Sequence, residues 1–344
     1  MKALVKVKNG EYGFSLRNIP VPEPEACQVL IRVKAVGVCG TDVHIYKGEI
    51  DTNTPVVIGH EFSGIIEKTG AGTKWAKPGD RVVSRLNIGV CGRCRACLSG
   101  NPHMCEHRTC PGFAIDGAYA EYIAIDEKQL IKIDDKVDYK DAALSEPMAI
   151  VAHALLERTR VESEDSVVIF GPGPIGLIAL QMARINGAAK VIMAGTDVDE
   201  ALRMPAAESL GADRIVNVQH EDIEKVVMEM TDGQGADLVI EASGAAPAIN
   251  QGLKILRRQG RMCVLGLPGA PETKVLWRTA AEKSSDIVFN YSSSPISWNK
   301  AVSMLNRGVF RTEDIITHTV PLEEYSQVFE EIIKGNVIKA ILIP

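Results

Sequence analysis

The chain has 344 residues, more than one hydrophobic core usually serves, so two domains are expected. Its apolar fraction of 46% fits a globular enzyme, and a net charge of −6, with both signs scattered and no basic block, argues against nucleic acid or an anionic membrane as a partner. Five of the eight cysteines lie between Cys91 and Cys110, a density that a cytosolic chain seldom spends on disulfides, so metal binding is the better reading.

The opening stretch MKALVKVKNGEYGFSL alternates like a strand and lacks an apolar segment with a cleavage site, which leads to the expectation of a cytoplasmic protein. Residues 1–36 predict short strands such as QVLIRVKAVGV, separated by Pro20, Pro22 and Pro24. Strands and turns continue over 56–85, residues 87–112 read as loop, and GAYAEYIAI and QLIKI read as further strands. Cys27 and Cys263 fall in strand-like runs and read as core. The longest apolar run, Ser166 to Ala183, is broken by Gly171, Pro172, Gly173, Pro174 and Gly176, which argues against a membrane helix.

Near Pro147 the pattern changes to strand, helix, strand: VVIFG, PIGLIALQMARINGA, KVIMAG. It then repeats through RIVNV, Ile223–Met230, DLVIEA, a helix from Ala246, RMCVLG and DIVFNY, which implies a doubly wound parallel sheet. The tail, with two helices and the strand KAILIP, is expected to rejoin the first part. The expected fold is therefore α/β, with a mostly-β domain over 1–148 completed by 292–344, and a dinucleotide-binding domain over 149–291.

Gly171, Gly173 and Gly176 follow a strand and open a helix, the setting in which such glycines cradle a pyrophosphate at a helix N-terminus, with Pro174 and Ile175 between them. An acid about 20 residues on usually holds the adenosine ribose. Gly195 stands at that place, followed by Thr196 and Asp197. The missing acid favours NADP, but Asp197, Asp199 and Glu200 would repel a 2′-phosphate, so NAD is expected, with NADP as the alternative. Ser243, Gly244 and Gly266 end strands of the same sheet and are expected at the cofactor.

Cys91, Cys94, Cys97 and Cys105 have the short spacing of a closed four-thiolate zinc site, which holds a loop and leaves no open position. Cys110 is extra. Three further segments carry mixed ligands: Cys39-Gly-Thr41-Asp42-Val-His44, Gly59-His60-Glu61 and Ser145-Glu146-Pro147. Cysteine, histidine and carboxylate from separate segments make an open site of the kind catalysis needs.

VGVCGTDVHIYKG, GHEFSG, the CxxCxxCx7C run, GAYAEY, SEP and GPGPIG occur here in the order found in the medium-chain zinc-dependent dehydrogenases, which the chain resembles over nearly its whole length. That resemblance implies a GroES-like catalytic domain, discontinuous in sequence, plus a Rossmann domain, with the active site in the cleft between them and a homodimer or homotetramer as the assembly. It implies that Cys39 and His60 bind catalytic zinc and that the four-cysteine set binds structural zinc. Glu146 stands where the simple alcohol dehydrogenases place a third cysteine, as in the polyol and threonine dehydrogenase branch, where Glu61 or Glu146, or each in turn, completes the site. Oxygen ligands also admit another divalent metal such as manganese. Thr41 is the first proton-relay hydroxyl by resemblance, His44 is expected to follow it, and Asp42 is expected to orient His60.

The implied activity is hydride transfer between a secondary alcohol and a nicotinamide cofactor. Ile88 replaces a histidine that threonine dehydrogenases carry before the first structural cysteine. Asn290, in Phe289-Asn290-Tyr291, replaces an arginine of the sorbitol type. FNYSSSPISW resembles the galactitol-phosphate type. A polyol or polyol phosphate is the expected substrate, with threonine as the alternative. Intact Cys39, His60 and Glu61 argue against a zinc-free quinone-reductase relative, and a non-catalytic cofactor-binding protein is the remaining reading.

Overall fold

The computed structural model describes residues 1–269 and 271–344. The chain divides into two compact units, Met1–Glu146 with Ser294–Pro344, and Pro147–Ser293.

The first unit contains strands β1 (Lys2–Lys6), β2 (Phe14–Asn18), β3 (Gln28–Gly37), β4 (Val56–Val57), β5 (Glu61–Thr69), β6 (Arg81–Ser84), β7 (Tyr122–Asp126) and β8 (Leu130–Lys132). The second contains β9 (Ser166–Phe170), β10 (Lys190–Gly195), β11 (Arg214–Asn217), β12 (Ala236–Glu241), β13 (Leu256–Val264) and β14 (Asp286–Phe289). The tail returns to the first unit with β15 (Ile316–Pro321) and β16 (Lys339–Ile343).

In the first unit β1, β2 and β4 form a small antiparallel sheet, and a larger sheet runs β15-β16-β3-β5-β6-β8 with β7 also on β3. β16 pairs with the end of β3, Ile341 with Gly37 and Leu342 with Val36, so the last residues close the sheet that carries the first metal-site segment. Phe329 and Leu342 of the tail share one core with Ile31, Tyr46 and Tyr119. Cys263 is buried, as its run suggested. Cys27 is not core: it is exposed, in a left-handed turn before β3 (φ +62°), with its N–H donated to the Ala71 carbonyl.

The second unit is a parallel sheet in the order β11-β10-β9-β12-β13-β14. The order reverses direction between β9 and β12, which makes the switch point where doubly wound sheets bind ligands at their strand C-termini. β9 (SVVIF) and β10 (KVIMAG) are apolar almost throughout because helices cover both faces. No helix among the described residues is long and apolar enough to cross a membrane.

Candidate active site and metal centres

Cys39 ends the run after β3 and caps the helix Gly40–Tyr46 in an extended conformation. His60 and Glu61 lie at the start of β5, which pairs antiparallel with β3, Gly37 opposite Glu61. This register brings the ligand atoms of Cys39, His60 and Glu61 within 4.8 Å of one another. Glu146 lies outside that trio but is buried close enough for the charges of His60, Glu61, Lys339 and Asp42 to act on it. Burial pushes its carboxyl up to about 7, with His60 opposing and Glu61 adding to the rise.

Two glycines shape the pocket. Gly59 adopts φ +91°, and a Cβ there would lie 2.4 Å from the Tyr119 ring. Gly37 has a different reason: a Cβ would fall 2.3 Å from Glu61 Oε2 and 3.1 Å from Lys339 Cε.

Asp42 is fully buried and accepts hydrogen bonds on Oδ2 from the Tyr119 hydroxyl (2.7 Å) and the Cys39 N–H (3.0 Å). Its Oδ1 lies 3.6 Å from His60 Nδ1, facing the ring beyond hydrogen-bond length. Burial raises the Asp42 carboxyl, opposed by His60 and Tyr119. Tyr119 and Lys339 were not singled out from sequence as site residues. Tyr119 lies in the quoted GAYAEY run. Lys339 carried one signal, a lysine at the head of an apolar terminal strand. Its ammonium pairs with Glu61 Oε2 and donates to the Val38 carbonyl at 2.9 Å. Burial works against that charge, but Glu61 and Cys39 outweigh it and the pKa is raised.

Zinc fits these residues. The ligand atoms of Cys39, His60 and Glu61 lie within 4.8 Å of one another, close enough to share one ion. Cys39, His60 and a glutamate are also an open mixed donor set. Thr41 Oγ1 lies 3.6 Å from Cys39 Sγ. His44 is exposed on the same helix, with Nδ1 2.5 Å from Glu49 Oε2.

The four-cysteine lobe also comes together, its ligand atoms within 4.8 Å of one another. Cys91 and Cys105 sulfurs are 3.7 Å apart, too far for a disulfide and close to the edge of a tetrahedron with zinc–sulfur bonds of about 2.3 Å. Cys94 donates its N–H to Cys91 Sγ at 3.3 Å, and the N–H groups of Arg93 and Cys94 lower the Cys91 thiol to about 6. Cys97 is pushed up to about 12 by burial and its thiol neighbours. Cys110 belongs to neither ligand group; burial raises it to about 11, with the nearby His60 opposing the rise.

In the second unit Gly171 takes φ +95° after β9, and Gly173 caps the helix Pro174–Ile185. A Cβ on Gly173 would meet nothing within 4 Å, whereas one on Gly176 would strike the Gly171 carbonyl at 2.0 Å. The loop thus keeps an open face and a tight back, with Pro174 and Ile175 opening the helix, as a pyrophosphate cradle requires. Gly195 ends β10, and a Cβ there would lie 3.1 Å from Asp199 Oδ2. Asp199 accepts from the Thr196 N–H (3.0 Å) and Oγ1 (3.1 Å) and pairs with Arg203 at 3.0 Å. Asp197 is exposed, held by Asn217 and His220, each at 2.7 Å. Ser243, Gly244 and Gly266 follow β12 and β13 at the same edge of the sheet.

Residues 25–135 match the alcohol dehydrogenase GroES-like domain family, and residues 174–307 match the zinc-binding dehydrogenase family. The chain is 38% identical over 344 residues to a sorbitol dehydrogenase of Halalkalibacterium halodurans, covering 100% of this chain and 99% of that protein. It is 38% identical over 343 residues to a D-arabitol-phosphate dehydrogenase of Enterococcus avium, covering 99% and 97%. A zinc-binding dehydrogenase of Sinorhizobium meliloti 1021, solved bound to NADP, matches with a TM-score of 0.93 at 28% identity, covering 100% of this chain and 99% of that one. This chain therefore belongs to the medium-chain zinc-binding alcohol dehydrogenases, NAD(P)-dependent oxidoreductases built from a GroES-like and a Rossmann domain.

Proposed function

We propose that the chain oxidises a secondary hydroxyl of a polyol or polyol phosphate to the ketose, with hydride passing to a nicotinamide cofactor. The observation that carries this reading is the convergence of Cys39, His60 and Glu61, with Glu146 buried nearby. The relatives named for sorbitol and D-arabitol phosphate support the substrate class. Zinc bound at this site supplies Lewis acidity that lowers the pKa of a substrate hydroxyl. Cys39 and His60 would hold it, and Glu61 or Glu146 would complete the set. Asp42, itself fixed by Tyr119, faces the His60 ring and favours one orientation of it. Thr41, whose Oγ1 lies beside Cys39 Sγ, would relay the proton released from the substrate, and exposed His44 would pass it to water.

For the cofactor, Gly171, Gly173, Pro174, Ile175 and Gly176 would receive the pyrophosphate, with Gly195, Thr196 and Asp197 beside the adenosine ribose and Ser243, Gly244 and Gly266 further along the sheet edge. Asp199 brings a carboxylate next to the space a side chain on Gly195 would occupy, which supports NAD over NADP. The homo-oligomer reading is supported by β14, the outer strand of its sheet, where Phe289 and, two residues on, Tyr291 are exposed. A cytoplasmic location agrees with a zinc site built from thiolates.

An absorbance assay at 340 nm over sorbitol, arabitol, their phosphates, galactitol phosphate and threonine, with each cofactor, tests the proposal. Turnover of a polyol or its phosphate is expected. Turnover of threonine alone would overturn the substrate class, and no turnover of any secondary alcohol would overturn the enzymatic reading.

A further inference from the structure

The switch-point edge of the parallel sheet contains a fully buried carboxylate that the cofactor reading leaves unused. Glu241 is the last residue of β12 and is 0% exposed. Its Oε1 accepts three hydrogen bonds from the loop that follows: Ser243 N–H at 2.8 Å, Ser243 Oγ at 2.5 Å and Gly244 N–H at 2.9 Å. Its main-chain carbonyl accepts two more from the neighbouring loop after β13, Leu265 N–H at 2.8 Å and Gly266 N–H at 2.9 Å. One residue thus ties together the two loops that follow β12 and β13.

The loops are also pressed against each other. A Cβ on Gly266 would sit 2.2 Å from the Gly244 nitrogen and 2.5 Å from Glu241 Oε2, and one on Gly244 would sit 2.5 Å from the Leu267 carbonyl. The Gly171 loop joins the same contact, since a Cβ there would lie 3.1 Å from Ser243. Glu241 Oε2 has no hydrogen-bond partner among the described residues. A buried carboxylate with one oxygen serving three donors and the other serving none is costly, and the compensation is the fixed shape of the Ser243–Gly244 loop, against which the loop after β13 packs.

Doubly wound sheets of this order consist of two mononucleotide-binding halves. The pyrophosphate loop and the Gly195 position belong to the half built on β9, β10 and β11, whereas Glu241 belongs to the half built on β12, β13 and β14. We infer that Glu241 is a positioning residue for the nicotinamide nucleotide: its carboxylate, by accepting from Ser243 and Gly244, fixes the loop on which the nicotinamide half rests. This inference rests on the cofactor reading above. Glu241 acts through the loops and does not itself touch the reacting atoms.

The test compares two ligands on the full chain by fluorescence and calorimetric titration. NADH uses both halves of the site, and ADP uses only the adenosine half. For E241A the dissociation constant of NADH should rise roughly tenfold or more, as expected for a lost charged acceptor, while that of ADP stays within about twofold. E241Q keeps a carbonyl oxygen for Ser243 and Gly244 and should restore NADH binding to within about threefold. NADH binding unchanged in E241A, equal weakening of NADH and ADP, or an E241Q as weak as E241A would each overturn the inference. Should E241A fail to fold, E241M, which fills the same space without a carboxylate acceptor, carries the same expectation. Wild-type protein that bound neither NADH nor ADP would instead refute the cofactor reading itself.

Discussion

The Lys339 ammonium, on the last strand, pairs with Glu61 Oε2 on β5, and both side chains are almost fully buried, 3% and 2% exposed. A cation from the C-terminal strand would therefore share the Glu61 carboxylate with a bound metal. Two buried charges cost several kcal/mol to desolvate, so each depends on the other for compensation.

Removing that cation exposes the dependence. Lys339→Met should destabilise the zinc-free protein by about 3–5 kcal/mol, the usual cost of leaving a buried charge without its partner. The loss should be smaller with zinc present, because a metal ion can compensate Glu61 in place of the ammonium. Denaturant unfolding with and without zinc measures both, and an equal loss in the two conditions would contradict the shared-carboxylate picture.

The two metal centres should respond differently to loss of one sulfur. Cys39→Ser should leave the melting curve close to wild type, remove one zinc of two, and cut activity by more than the roughly 10–100-fold typical of outer-shell changes. Cys94→Ser should instead lower the melting temperature and loosen the 91–105 lobe towards proteolysis, since that zinc contributes folding free energy directly. Metal analysis with calorimetry separates the outcomes, and an unchanged melting curve for Cys94→Ser would count against a structural zinc.

Tyr119→Phe deletes the 2.7 Å hydrogen bond to Asp42 and leaves the ring that packs over Gly59. Catalytic zinc affinity should fall by about tenfold while the structural site keeps its zinc, as expected for loss of an orienting outer-shell contact. Competition with a chromogenic chelator reads both sites, and equal loss from the two would refute the Asp42 link.

Glu127 makes the pH dependence partly predictable. Burial works to raise its carboxyl, but the N–H groups of Lys74, Trp75 and Ala76 win and its pKa in the folded protein is lowered. A folded value below the unfolded one contributes stability that is fully present above the unfolded carboxylate range. That contribution is lost as pH falls through the folded value. The stability difference between wild type and Glu127→Gln, from urea unfolding, should therefore shrink as pH falls from 6 to 3. A constant difference would argue against the charge-dependent part of this turn.

Phe289→Lys, at the end of the outer strand β14, should shift the chain towards monomer in analytical ultracentrifugation if a second copy covers that edge. A wild-type chain that is already monomeric would dismiss the oligomer reading.

Much of this protein was legible in its amino-acid order. The four cysteines from Cys91 to Cys105 and the Gly171–Gly176 turn are local devices, in which ligands and loop are supplied within a few residues. The alternation of strands and helices after Pro147 marked the parallel sheet for the same reason, because each period is short-range. What tertiary structure alone decided is long-range. Only the register of β3 with β5 brings Cys39 to His60 and Glu61. Only the pairing of β16 with β3 delivers Lys339 to Glu61 across some 280 residues, and no periodicity marks a lysine there as a counter-ion. Glu241 looked like one more residue in a strand until the loops after β12 and β13 were seen to close on it. Cys27 shows the opposite error, a residue that reads as core by its neighbours and is turned to solvent by a left-handed bend. Buried charges find their partners through strand pairing, and pairing is a property of the folded sheet.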